Sequence, residues 1–284
     1  MEGKVVVKRC VENILGWPTD TFSVDIESAD GNLDDNIFPV RTVLIFVPGN
    51  PGLIEWYIPF FSRIIQLLGP GYAVRGASYA GHSIDAQQIH VEQDDDGRTC
   101  DAPIRIHPPP KTLAWTIDGQ VQHKIAFLDK LAQKEMNSTK KFIFIGHSIG
   151  CHLVQRIFLY RADFLRRTTR CIWLMPFIRM DAPAPHQQLL DLVAQYSTTS
   201  TWILQTAARV MACFPTSLVE QYLLQFAMER ADHRRFTAQL LQQTQFPRNF
   251  LGLGLEEIRD VPQAIDVRVG TLFCFCLFVS HWRG

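Results

Sequence analysis

A serine hydroxyl attacks a carbonyl only when its side chain is presented clear of its own backbone, a base takes its proton, and hydrogen-bond donors await the oxyanion. The run Gly146-His147-Ser148-Ile149-Gly150 addresses the first condition. It has the form G-x-S-x-G and lies between an apolar strand-like run, Phe142 to Ile145, and a stretch of helical spacing that begins near Cys151. A strand that reverses sharply into a helix holds its central residue at strained backbone angles. Only residues without Cβ fit beside it, which accounts for Gly146 and Gly150. Ser148 is therefore the candidate catalytic nucleophile, and the chemistry is acyl transfer with ester hydrolysis as the net reaction.

The oxyanion needs two donors. One is the backbone N–H of Ile149, the residue after the nucleophile. The other is expected from Pro48-Gly49-Asn50-Pro51-Gly52, about a hundred residues earlier, where Asn50 offers an N–H held by flanking prolines and glycines. The chemistry asks for that backbone donor and not for the Asn50 amide, so Asn50→Ala is expected to be mild and Asn50→Pro severe. The base is harder to place. His147 is expected to point away from the turn as a structural neighbour, His82 to sit in a loop, and His123 to lie on the polar face of a helix, while His152 and His233 have no supporting pattern. The triad acid and histidine are left unassigned. No cofactor and no metal is expected, and Cys274-Phe275-Cys276 lacks zinc-ribbon spacing.

The elements around these residues set the fold. Lys4 to Lys8 and Thr21 to Glu27 read as strands around a turn at Gly16-Trp17-Pro18. Val43-Leu44-Ile45-Phe46-Val47 is an unbroken apolar run, the mark of a strand buried on both faces of a parallel sheet. Helical spacing follows over Trp56 to Leu68, then a strand near Tyr72 to Ser78. Asp94 to Gly97 and Pro108 to Pro110 mark a long polar loop. A helix is expected over Thr116 to Lys134, with Ile117, Val121, Ile125, Leu128 and Leu131 on one face, and strands at Lys141 to Ile145 and Cys171 to Met175 flank a helix from Cys151 to Tyr160. This alternation predicts an α/β three-layer sandwich with a mostly parallel sheet. After Pro176 the text turns helical, from His186 to roughly Phe236, within a helical cap or lipid-facing insertion over about 180–255 of a single domain, 1–284.

The chain has 284 residues, 28 basic against 28 acidic, so total charge supports neither a nucleic-acid footprint nor a basic membrane patch. Any lipid contact must be apolar. Seven scattered cysteines suit reduced thiols better than a disulfide framework, the amino terminus lacks the apolar core of a signal peptide, and no run reaches the ~18 apolar residues that span a bilayer.

Five segments carry a resemblance to a known family: Leu44 to Gly52, Tyr57-Ile58-Pro59-Phe60, Ser78-Tyr79-Ala80-Gly81-His82, Asp118 to Leu128 with its Gly119-Gln120-x-x-His123-Lys124 pattern, and Ile145 to Gly150. Across about 40–265 the chain resembles the lipid droplet-associated hydrolase family. The resemblance implies an α/β-hydrolase fold, a serine esterase or lipase acting on neutral-lipid esters such as sterol or acylglycerol esters, a role in lipid storage, and residence on the lipid droplet monolayer and the cytosolic face of the endoplasmic reticulum. It gives Ser148 the nucleophile's place, sets Asn50 in the oxyanion loop, and matches the helical insertion to the family's droplet-binding region. The family continues with a Gly-Thr-x-Asp-x-Trp segment and a later histidine. Here Gly270-Thr271 is followed by Leu272-Phe273 and an apolar run without an acid. Ser148, Asp266 and His281 stand in triad order, yet the spacing of fifteen positions between the last two holds no room for the intervening strand and helix. The expectation is a truncated or alternative carboxyl-terminal end, incomplete carboxyl-terminal strands, and low activity. The alternative reading is a noncatalytic lipid-droplet binding protein built on a hydrolase fold.

Overall fold

The computed structural model describes residues 3–27, 40–83, 115–135, 140–176, 192–226, 230–260 and 276–277. The polar loop at 94–97 and 108–110, the start of the insertion at His186, and the positions of Asp266 and His281 lie outside the described residues.

Strands β1 (Lys4–Ile14) and β2 (Trp17–Glu27) form a long hairpin. Its turn is Leu15-Gly16 and not the expected Gly16-Trp17-Pro18. Both turn residues have positive φ, 52° and 81°, the twist that two-residue hairpin loops require, and Asn13 Oδ1 accepts the Gly16 N–H at 2.8 Å. Pro18 therefore falls inside β2, opposite Asn13, in the part that β4 does not reach; there its missing N–H costs no ladder bond toward the sheet centre. Next come β3 (Thr42–Val47), a 3₁₀ turn at Glu55–Tyr57, α1 (Ile58–Leu68), β4 (Tyr72–Ala77), α2 (Ile117–Glu135), β5 (Lys141–His147), α3 (Ile149–Tyr160), the short α4 (Ala162–Arg167) and β6 (Thr168–Leu174). Four helices follow, α5 (Ser197–Ala212), α6 (Thr216–Leu223), α7 (Ala231–Leu241) and α8 (Phe246–Asp260), so helical structure continues well past Phe236. In the tail, Cys276–Leu277 forms β7, parallel to β6 at Trp173 and Leu174.

The sheet order is β1-β2-β4-β3-β5-β6-β7, and β2 alone runs against the rest. Helices cover both faces. On one, α1 buries Phe61 and Ile65 against Phe46, Val74 and Ile145; on the other, α2 and α3 bury Val121, Leu128, Leu153 and Ile157 against Val43, Ile45 and Phe144. The unbroken apolar run of β3 follows from this, because alternate residues serve opposite cores. This is the α/β-hydrolase fold, and the crossing from β3 to β5 brings the ends of two adjacent parallel strands together at one edge, with Val47 opposite Gly146.

The inner face of α2 departs from expectation. His123 is not on a polar, solvent-facing side: Gln120, His123 and Lys124 are all buried at 1% exposure or less. They are spent on β2, the end of β4 and the segment after it. Lys124 Nζ donates to Ala77 O at 2.7 Å and to Ser78 O, Gln120 receives the Ala80 N–H and donates to Ala80 O, and His123 Nε2 meets Thr19 Oγ1 at 2.8 Å. Burial pushes the Lys124 ammonium well below its ordinary pKa.

Candidate active site

β5 carries the chain outward at the sheet edge and α3 takes it back, and Ser148 sits at the reversal with φ 51° and ψ −124°. For a residue with Cβ this is a strained conformation, held by tight surroundings: Ser148 N–H donates to Leu174 O at 3.0 Å and Cys151 N–H donates to Ser148 O at 3.1 Å. Both flanking glycines are sterically required. A Cβ on Gly146 would stand 2.8 Å from the backbone N and Cα of Cys151, and one on Gly150 would stand 2.3 Å from Val47 O and 2.4 Å from Pro48 O. Backbone atoms cannot swing aside as a side-chain tip can. The second contact also shows how near α3 comes to the end of β3.

There the Pro48 to Gly52 segment folds into a turn closed by the Gly52 N–H on Gly49 O at 2.6 Å. Gly49 touches the nucleophile turn, for a Cβ placed on it would lie 2.6 Å from His147 Nδ1 and 3.0 Å from Ser148 Cβ. The two segments that the sequence singled out a hundred residues apart are thus in contact. Among the described residues, neither the Asn50 nor the Ile149 backbone N–H donates to a protein acceptor.

The segment after β4 supports this turn, which the sequence reading did not foresee. Tyr79 is fully buried; its hydroxyl donates to Pro48 O and its N–H donates to Gly52 O at 3.1 Å. Gly52 has φ 79° and lies on the Tyr79 ring, leaving no room for a side chain. His82 Nδ1 donates to Pro51 O, and burial pushes its pKa down to about 4, so it is a neutral strut and not a base. His147 meets Tyr57: its Nδ1 and the Tyr57 hydroxyl are 2.8 Å apart, and burial lowers the imidazole pKa. The same burial pushes the Tyr57 phenol up to about 12, against the lowering effect of the Gly49 backbone. His152, on α3, is also buried and depressed to about 4 by desolvation and then by Arg156.

α8 covers the other side of the turn. Asn50 Nδ2 donates to Phe250 O at 3.2 Å, Asn249 Nδ2 donates to Gly81 O, and Gly254 lies against Asn50, where a Cβ would sit 3.3 Å from Nδ2. Glu257 is buried on the same helix, and desolvation raises its carboxyl pKa to about 7, with the Asn50 amide pulling the other way. The Asn50 side chain thus ties the turn to α8 as well. No local signal marks Phe250, which stands 200 positions from Asn50.

Among the described residues, no side chain is hydrogen-bonded to Ser148 Oγ, and no group of three or more His, Cys, Asp or Glu is gathered as for a metal ion. Cys10, Cys151, Cys171 and Cys213 form no disulfide among the described residues.

Comparison with known proteins adds a family. The model of a family described as lipid-droplet associated hydrolase matches residues 40–274. Proteins named lipid droplet-associated hydrolase are similar in sequence: the one from Gallus gallus is 29% identical over 150 residues, 53% of this chain and 41% of that protein, and the one from Drosophila melanogaster is 26% identical over 186 residues, 64% and 52% respectively. The chain thus spans about half the length of the curated relatives it matches. A laboratory-evolved variant of potato epoxide hydrolase is similar in structure, with TM-score 0.44 and 11% identity over 90% of this chain and 74% of that one.

Proposed function

Because the chain belongs to the lipid-droplet associated hydrolase family, we propose that it is a serine hydrolase of neutral-lipid esters, sterol or acylglycerol, acting at the surface of a lipid droplet or on the cytosolic face of the endoplasmic reticulum. The observation that carries this is the contact between the strained Ser148 turn and the Pro48 to Gly52 turn. Ser148 Oγ attacks the ester carbonyl carbon, the backbone N–H groups of Ile149 and Asn50 receive the oxyanion, the alcohol leaves with a proton, and water then releases the acid from the acyl-serine. Gly49, having no side chain, lets the turn pack directly against His147 and Ser148.

Access from a lipid surface is supported by the helices between β6 and β7. On α5, α6 and the segment between them, Trp202, Ile203, Val210, Phe214, Leu218 and Tyr222 are each 45 to 64% exposed, and an apolar cleft opens among Met211, Phe214, Leu218, Val219 and Tyr222. Among the described residues no helix is long and apolar enough to cross a membrane. An apolar surface of this kind partitions into a lipid monolayer without spanning it.

Turnover is expected to be slow, because Gly270-Thr271 is followed by Leu272-Phe273, where the resembling family carries its acid. The same departure favours a second reading, droplet binding without catalysis. Hydrolysis of a nitrophenyl acetate and of a cholesteryl ester emulsion by this chain and by Ser148→Ala separates the two. Slow turnover lost in Ser148→Ala supports the hydrolase; identical traces from both proteins, with both still bound to the emulsion, support the binding protein.

A further inference from the structure

α8 carries two glycines in its middle turns, Gly252 and Gly254. Glycine inside a helix is unfavourable, because it gives up more conformational freedom on folding than any other residue. Each of these has a steric reason. A Cβ on Gly252 would stand 3.2 Å from Trp115 Cγ, and one on Gly254 would stand 3.3 Å from Asn50 Nδ2, so both let the helix come close to a fixed neighbour.

Nearer the amino end of the helix sits Asn249, which is buried and uses both ends of its amide. Its Oδ1 accepts the Trp115 indole N–H at 2.7 Å, and its Nδ2 donates to Gly81 O. An asparagine amide offers an acceptor and a donor on one planar group, so a single side chain ties Trp115, just before α2, to the segment after β4. That segment holds the Pro48 to Gly52 turn: Tyr79 reaches Pro48 O and Gly52 O, and His82 reaches Pro51 O. The next residue of α8 reaches the same turn directly, with Phe250 O accepting the Asn50 Nδ2–H at 3.2 Å. α8 thus grips the turn by two routes, one through Gly81 and one through Asn50.

We infer that Asn249 and Gly254 are positioning residues of the oxyanion turn: Asn249 locks α8 onto Trp115 and Gly81, Gly254 sets how closely the helix meets Asn50, and together they fix where the Asn50 backbone N–H stands relative to Ser148. On this inference α8 serves the site and not the lipid-facing surface. Its burial agrees with that role, for Pro247, Asn249 and Leu253 are buried whereas Trp202, Ile203 and Leu218 of α5 and α6 are exposed. The consequence for rate rests on the reading of Ser148 as the nucleophile; the geometry does not.

Two variants of the full chain test this, each with two readouts. Gly254→Ala favours the helix but forces Asn50 to give by a few tenths of an ångström. Asn249→Asp keeps the acceptor for Trp115 and replaces the donor that meets Gly81 O with a second acceptor. The first readout is NMR of the backbone amides of Gly49, Asn50, Gly52 and Ile149, which requires no reactive serine. The second is the time course of fluorophosphonate labelling at Ser148, resolved into a maximal rate and a half-saturating concentration. In both variants the turn amides are expected to shift, and the maximal labelling rate to fall on the order of 10-fold with the half-saturating concentration unchanged. Gly254→Ala is expected to do this without lowering the thermal midpoint, which separates positioning from loss of fold. In an Asn50→Ala background Gly254→Ala is expected to cost nothing further, since the side chain through which it acts is gone. Turn amides and labelling rates that keep their wild-type values overturn the inference, as does an equal cost of Gly254→Ala with and without the Asn50 side chain. Gly254→Ala decides the matter if Asn249→Asp fails to fold. A wild-type Ser148 that does not label, with turn amides that still respond to Gly254→Ala, counts against the serine as nucleophile and for the link between α8 and the turn.

Discussion

Replacing Glu257 with glutamine is expected to make the protein more stable in alkaline solution than in mild acid, relative to wild type. The carboxyl is held at about 7 in the folded chain against 4.5 when solvated, so between those values the native state binds a proton that the unfolded state has released. Stability contributed by the protonated form is complete below 4.5 and is lost as pH rises through 7. A gap of about two and a half pH units, at about 1.36 kcal/mol each, is about 3 kcal/mol, and the burial of Glu257 leaves little solvent screening to discount it. Glutamine keeps the shape and an amide donor but carries no charge at any pH. Urea unfolding of both proteins at pH 5, 6, 7 and 8 is the assay. The stability of Glu257→Gln minus that of wild type should grow by about 2 to 3 kcal/mol over this range, most of it between pH 5 and 7. His82, His123 and Lys124, depressed by burial, act in the opposite direction, but they are common to both proteins and cancel in the difference. A difference that stays flat across the four pH values, or that shrinks as pH rises, refutes the reasoning.

Gly150→Ala forces a Cβ against Val47 O and Pro48 O; a loss of about 1 to 3 kcal/mol in thermal or urea unfolding and loss of Ser148 reactivity are expected, since neither carbonyl can move without shifting the turn. Asn50→Pro removes the backbone donor and should slow acylation of Ser148 on the order of 10² to 10³. Asn50→Ala keeps that donor but loses the side-chain hydrogen bond to Phe250 O, so it should slow acylation less than the proline variant while destabilising the fold by about 0.5 to 1.5 kcal/mol. Trp202→Asp, Ile203→Asp and Leu204→Asp together replace exposed groups, so circular dichroism should be unchanged while flotation with triacylglycerol droplets is lost; undiminished flotation would remove α5 from the lipid-facing surface.

The parts of this site that were legible in the sequence are those whose cause is local. The apolar run of β3 and the glycines around Ser148 follow from a strand buried on both faces and from a reversal that tolerates no Cβ, and both are written in consecutive residues. Charged and polar residues misled where their partners are distant. His123 reads as the polar side of a helix because apolar periodicity ignores distant partners, yet Thr19, and Lys124 held by Ala77 O and Ser78 O, make that side a dry one. Asn50 reads for its N–H alone, since its side-chain partner Phe250 lies two hundred positions away. The hairpin turn was misplaced by weighing Trp17-Pro18 over the positive φ that Leu15 and Gly16 share.

The central claim is that Ser148, in its strained turn against Gly49, is an acyl-accepting nucleophile. The direct measurement is incubation of the purified chain with a fluorophosphonate, followed by mass spectrometry of the peptide that carries Ser148. A phosphonyl adduct on Ser148, formed by the folded chain, absent after heat unfolding and slowed by Asn50→Pro, is the predicted result. An unmodified Ser148, or labelling no faster in the folded chain than in the unfolded one, would contradict it.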